Sequence, residues 1–199
     1  MPDKYSNFAA LEKNERRGVD FRVQSRVVRS RIAVIAPHGG SIEPGTSEIA
    51  MAIAGRDFSF YAFEGTKIRH NGCLHITSTR FDEPTCLALV TAAERVVAIH
   101  GENSDARVVF LGGLDKAGMN RVRNALMQRG FYVKTHRSPR LQGIDRLNIC
   151  NRGKAQAGVQ VELSKGLRRL FFRSLSAKGR KQPKRRFGEF VSGLREALG

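Results

Sequence analysis

The sequence predicts an α/β fold: a single domain built on an open mixed, largely parallel sheet flanked by helices. Three observations point there. Short apolar runs of the kind buried on both faces of a sheet recur along the chain, IAVIA at 32–36 and RVVAIH at 95–100 being the plainest. Segments with helical start and stop signals alternate with them. The 199 residues suffice for one sizeable core and not for a second full domain.

Each element follows from local chemistry. Residues 1–30 are a mixed polar lead-in, with an alternating FRVQSRVV run that suits an edge strand. The buried-type strand 32–36 stops at Pro37-His38-Gly39-Gly40, a loop signal. Thr46-Ser47-Glu48 opens a helix that Gly55 ends. Strands are expected at 58–63 and 74–77, and Pro84 suits the first turn of a helix to about Ala92. Two more strands follow, 95–100 and 108–111. Asp115 caps a helix that carries Val122, Leu126 and Met127 and stops at Gly130. A strand at 131–135 leads into a polar, Gly-containing stretch over 139–158. Val159, Val161 and Leu163 alternate as in a strand, and Ser164 caps a helix continuing to Leu175. The run KGRKQPKRR at 178–186 reads as a basic linker, and 187–198 as a short amphipathic helix.

Composition narrows the function. Lys and Arg number 35 against 18 Asp and Glu, a net charge of +17, which favours a polyanionic partner such as nucleic acid, an anionic membrane or an acidic polymer. The segment 165–199 is densest, with 11 basic and 2 acidic residues, but the body is basic too. No stretch is long and apolar enough for a transmembrane helix, and the polar N-terminus lacks the apolar core of a secretory signal. Synthesis in the cytoplasm is therefore expected, with release by lysis as a route to the outside. Cys73, Cys86 and Cys150 are odd in number and lack metal or disulfide spacing, so they read as buried free thiols. Nucleotide-binding glycine motifs, the Gly-x-Ser-x-Gly elbow and His-Glu-x-x-His are all missing.

In open α/β sheets, ligands gather beyond the carboxyl ends of the strands. His38 follows the strand at 32–36, His100 ends the strand at 95–100, and Glu162 stands near the end of the strand at 159–163. Glu43 lies in the loop after His38. Two His and a carboxylate form a frequent catalytic zinc set, and a second carboxylate can act as general base. Position alone leaves the bland alternatives open: polar His residues satisfied at strand ends, a solvated Glu43, and a Glu162 facing outward from an edge strand.

Longer segments are more specific. IAPHGGSIEPGTSEIAMAIAG (35–55), FSFYAFEG (58–65), LHITSTRFDEP (74–84), VAIHG (97–101), LGGLD (111–115), LQGIDRLNICNRG (141–153) and GVQVELSKGLR (158–168) together resemble the phage-type poly-γ-glutamate hydrolases. The likeness runs in order from about Lys4 to about Phe172 and leaves out the basic tail. It implies a core similar to that of zinc carboxypeptidases, a zinc hydrolase domain at 1–176 and a basic C-terminal extension at 177–199. It implies one zinc ion per chain on His38, Glu43 and His100, and Glu162 as the catalytic glutamate. The His-x4-Glu spacing differs from the His-x-x-Glu of carboxypeptidases. The implied reaction is endo-type cleavage of the γ-amide bonds of poly-γ-glutamate, an acidic capsule or slime polymer.

Arg152 and Arg80 are the candidates to offset charge on the carbonyl oxygen and to grip the α-carboxylates, because a guanidinium donates two parallel hydrogen bonds. Asn148 and Asn151 either line the cleft or shape its loop. A monomer without a membrane partner is expected. Two alternatives compete: a zinc amidase or peptidase for another acidic or γ-linked peptide, and a phage or prophage nucleic-acid-binding protein using the basic tail, for which no recognition motif is present.

Overall fold

The structure, a computed structural model, describes residues 3–199; Met1 and Pro2, where the expected domain begins, lie outside the described residues. Its strands are β1 (Phe21–Arg26), β2 (Ile32–Gly40), β3 (Ser59–Gly65), β4 (Arg95–Glu102), β5 (Val109–Gly113), β6 (Val133–Lys134) and β7 (Val159–Ser164). Its helices are α1 (Phe8–Glu12), α2 (Thr46–Ala54), α3 (Pro84–Ala92), α4 (Lys116–Gln128), α5 (Lys165–Phe171), α6 (Ala177–Arg180) and α7 (Arg185–Leu198). All seven strands share one sheet in the order β1-β3-β2-β4-β7-β5-β6. The central β3-β2-β4-β7 block is parallel, while β1 pairs antiparallel with β3 and β5 antiparallel with β7.

The central strands are apolar on both sides because both sides are covered. Val34, Val97, Ile99, Val159 and Val161 face a core shared with α2, α4, α5 and α7. Ala33, Ile35, Tyr61, Phe63 and Ala98 face a second core closed by α1, α3 and the 71–81 segment. β2 leads through α2 to β3 on one side of it, and the chain then returns to lay β4 on its other side. The carboxyl ends of β2 and β4 therefore flank the switch in strand order, where a crevice forms.

Some expectations change in the structure. β2 runs on to Gly40 through an irregularity between Ala36 and Gly39, so His38 sits within a strand end rather than in a loop. Gly40 has φ +64°, and a Cβ there would stand 2.5 Å from the Gly65 carbonyl oxygen. The expected strand at 74–77 is instead a 3-10 turn, Asn71–Leu74, followed by an unpaired extended stretch. The expected strand at 131–135 shrinks to two residues. The helix after Ser164 ends at Phe171, not Leu175, because Phe172 turns extended and packs in the core. α1 adds a short helix to the polar lead-in.

The basic C-terminal segment packs onto the body. Phe190, Leu194, Ala197 and Leu198 of α7 enter the first core. Its arginines have internal partners. Arg195 bonds the Ile53 carbonyl at the end of α2 and pairs with Asp57, while Arg186 bonds the Arg129 and Gly130 carbonyls beyond α4. Arg180 in α6, within the stretch read as a linker, is largely buried and pairs with Glu48 at 2.7 Å. Cations at helix C-termini satisfy orphan carbonyls and oppose the helix dipole.

Candidate metal centre

The site grows from three strand ends. His38 lies near the end of β2, and His100 and Glu162 are register partners near the ends of β4 and β7. Side chains alternate between faces along a strand. With Ile99 and Val161 committed to the first core, His100, Gln160 and Glu162 point to the other face, which the polar 138–148 segment covers instead of a helix. Glu43 returns to the same point because its amide bonds the His38 carbonyl at 2.9 Å, and Thr46 Oγ1 bonds the Glu43 carbonyl.

The geometry brings His38, Glu43 and His100 together. His38 Nδ1 is 3.2 Å from His100 Nδ1 and 3.3 Å from Glu43 Oε1, and His100 Nδ1 is 3.7 Å from Glu43 Oε2. Donor atoms about 2.0–2.2 Å from one tetrahedral zinc stand about 3.3–3.6 Å apart, close to the spacing of the two ring nitrogens and the Glu43 carboxylate here, so this donor set suits the ion. The His38 tautomer fits as well. Its Nε2–H donates to the Ile76 carbonyl at 2.7 Å, which leaves a lone pair on Nδ1 facing the centre. Glu43 Oε2 also accepts from the Gly101 amide at 2.8 Å, tying the loop to β4.

Burial shapes the acids and bases. Glu162 is 5% exposed, and burial lifts its carboxyl to about 7; His100 opposes that shift and Glu43 adds to it. Burial also favours neutral Glu43, but the neighbouring His38 and His100 outweigh it and hold Glu43 well below the usual carboxylate range. For His100, burial opposes the charged ring, yet contact with Glu43 and the charge of Glu162 raise its value. Gln160 Nε2 donates to Glu162 Oε1 at 3.1 Å, and Asn148 Nδ2 donates to Gln160 Oε1 at 2.9 Å. This chain orients the carboxylate, and Asn148 lines the cleft. Asn151 shapes the loop: its Nδ2 donates to the Gly143 and Asp145 carbonyls and its Oδ1 accepts from the Leu114 and Gly158 amides.

The site opens into a cleft of about 970 Å³. Arg80 and Arg152, the guanidinium candidates of the sequence, are not among its lining residues. Arg80 donates to Asp3 Oδ2 at 2.7 Å, and Arg152 lines a separate pocket beyond the Ile149–Asn151 turn. Among the described residues, Arg140 is the one arginine lining the cleft.

The structure adds residues the strand-end reasoning missed. The His75 ring lies 4.0 Å from that of His38, and its Nδ1 is held by Asp3 Oδ1 at 2.7 Å. One ligand atom each from His38, Glu43 and His75 falls within 4.8 Å of the others. His100 contacts both His38 and Glu43 directly, whereas His75 has one nitrogen committed to Asp3. Arg168, 1% exposed, donates to the carbonyls of Leu163, Pro44 and Glu102, and so ties the ends of β7 and β4 to the Glu43 loop. Both stand inside segments quoted above, His75 in LHITSTRFDEP and Arg168 at the end of GVQVELSKGLR, but neither was assigned a role, since a helical Arg reads as surface.

The chain is 36% identical to the UPF0714 protein YmaC of Bacillus subtilis over 201 residues, 100% of this chain and 85% of that protein. It is also 36% identical to the SPbeta prophage-derived UPF0714 protein YoqZ of Bacillus subtilis (strain 168), across 89% of this chain, and spans 65% of that protein's length. A bacteriophage poly-gamma-glutamate hydrolase structure superposes with a TM-score of 0.95 at 30% identity, covering 99% of this chain and 97% of the other. A zinc-free apo structure of YndL superposes with a TM-score of 0.94 at 35% identity, covering 99% and 98%. The poly-gamma-glutamate hydrolase family matches residues 5–193, nearly the whole chain including most of α7, and the protein belongs to that family.

Proposed function

We propose that the protein is a zinc-dependent hydrolase that cleaves γ-glutamyl amide bonds within poly-γ-glutamate. The observation that carries this reading is the convergence of His38, Glu43 and His100 donor atoms beside a buried Glu162, in a chain of this family. His38, Glu43 and His100 would hold one zinc ion. Bound there, zinc supplies a water acidified to about pKa 7 and a Lewis acid for a carbonyl oxygen.

The chain's own residues do the rest. Glu162, with a value near neutrality, accepts a proton from the attacking water and delivers it to the departing amide nitrogen. Gln160 holds the carboxylate in line for both transfers. Cleavage leaves a γ-carboxylate on one fragment and a free α-amine on the other. Arg140 and the hydroxyls of Thr77, Ser78 and Thr79 line the cleft where the substrate's α-carboxylates would lie. The internal engagement of Arg180, Arg186 and Arg195 weighs against the C-terminal segment as a nucleic-acid arm.

Gel filtration of high-mass poly-γ-glutamate after incubation with zinc-loaded protein tests the reading. A rapid fall in size is expected with the γ-polymer, not with poly-α-glutamate, and not with Glu162→Gln. A γ-polymer that stays intact while another γ-linked or acidic peptide is cut would replace the substrate and keep the chemistry.

A further inference from the structure

We propose that the chain carries a second binding pocket, separate from the cleft, for carboxylates of the same acidic polymer; this rests on the substrate assigned above. The pocket has a volume of about 350 Å³ and is lined by Arg146, Arg152 and Lys154, with Thr91 and Gln156 beside them. Among the described residues, no Asp or Glu lines it. The three cations have no carboxylate partner among the described residues, whereas Arg80, Arg180, Arg186 and Arg195 each have one. Three unneutralised charges sharing one concavity repel one another and make a site for an anion bearing several charges.

The place of the pocket suits a long chain that also occupies the cleft. Asp145 and Asn148 line the cleft, while Arg146, Leu147 and Asn151 line the pocket, so one short segment forms the wall between them. That wall is rigid. Asn151 makes four backbone hydrogen bonds, and the Lys154 and Ala155 amides bond the Ala93 and Glu94 carbonyls. The fixed backbone spares the ordering of a loop on binding, leaving only the side chains to be immobilised. A poly-γ-glutamate chain carries one carboxylate per residue, so a segment beyond the scissile bond can reach the pocket while the reacting amide lies at Glu162. A second contact on a tethered chain raises its effective concentration at the first. Arg152, expected at the reacting carbonyl, here serves binding at a distance from it.

The test pairs Arg146→Gln with Lys154→Gln, both exposed and outside the cleft. Zinc-loaded wild type and double variant are compared on high-mass poly-γ-glutamate and on γ-glutamyl oligomers too short to extend past the cleft. KM for the polymer rises about tenfold with kcat unchanged, from two exposed ion pairs lost together, and oligomer turnover does not move. An unchanged polymer KM overturns the pocket, and so does equal loss on both lengths. Wild type that cleaves no polymer would defeat the substrate assignment, and fluorescently labelled poly-γ-glutamate then decides on the pocket: equal affinity for both proteins overturns it. Single-stranded DNA that binds more tightly than the polymer, and loses that affinity in the variant, overturns it in favour of a nucleic acid.

Discussion

At the scale of single residues, the account turns on a carboxylate kept near neutrality by burial. Glu162 works as a base only when ionised, so kcat/KM falls as pH drops through its value, which is about 7 without metal. Zinc on the adjoining ligands favours the ionised form and moves this limb to lower pH. A profile that rises toward acid would contradict the role. The same burial has a cost in stability. A carboxyl whose folded value is raised destabilises the fold as pH climbs from its unfolded value near 4.5 through about 7. Chelator-treated Glu162→Gln is therefore expected to melt higher than the parent at pH 8. The gap narrows toward pH 4.5, and a parent that is more stable at pH 8 would refute it. Strand-end position singled out His38, His100 and Glu162 in the sequence, with Glu43 in the loop after His38, but only the family resemblance turned them into a ligand set and a catalytic glutamate. Arg80 and Arg152 could not be placed that way. A guanidinium reaches far from its backbone, and its partner, Asp3 for Arg80, lies a long way off in sequence.

At the scale of elements, the strand ends need holding together, and Arg168 on α5 does this through three carbonyls from three segments. Gly101 belongs to the same device, since a Cβ there would stand 2.7 Å from the guanidinium carbon. Arg168→Met leaves those carbonyls without a donor and is expected to cost at least about 3 kcal/mol, hydrogen bonds to a charged group contributing about 1.5–3 kcal/mol each. Zinc affinity should fall with it, because Pro44 adjoins Glu43. A variant with unchanged melting and unchanged zinc affinity would remove Arg168 from the account. α7 makes a second case. Leu194→Ala should destabilise by about 2–5 kcal/mol, as in other packed cores. A loss below about 0.5 kcal/mol in denaturant unfolding would make the helix a loose appendage. The apolar stripe of α7 was legible at helical spacing, but its docking on α4 was not, since charge density drew attention to the opposite face. The 74–77 run alternates like a strand and still pairs with none, because the Ile76 carbonyl bonds His38.

At the scale of the whole molecule, topology sets the site and charge sets the encounter. The reversal of strand order between β2 and β4 makes the crevice, and its parallel centre was readable from buried runs alternating with helices. The antiparallel pairings of β1 with β3 and of β5 with β7 were not, because the alternation of β1 suits an edge of either direction and β5 reads like the buried parallel strands. The net charge of +17 draws a polyanion to the molecule over distances that salt screens. Raising ionic strength is expected to lower kcat/KM for long poly-γ-glutamate much more than for neutralised γ-linked oligomers, and equal sensitivity would remove steering from the account.

The central claim is that three converging side chains hold a zinc ion on which cleavage of the γ-amide depends. Stepwise addition of zinc to chelator-treated protein, with poly-γ-glutamate size followed at each step, tests it most directly. The account predicts activity that climbs in proportion to zinc and levels off at one equivalent in the wild type, and stays near zero in His100→Ala. Full activity before any zinc is added, or an undiminished climb in His100→Ala, would contradict it.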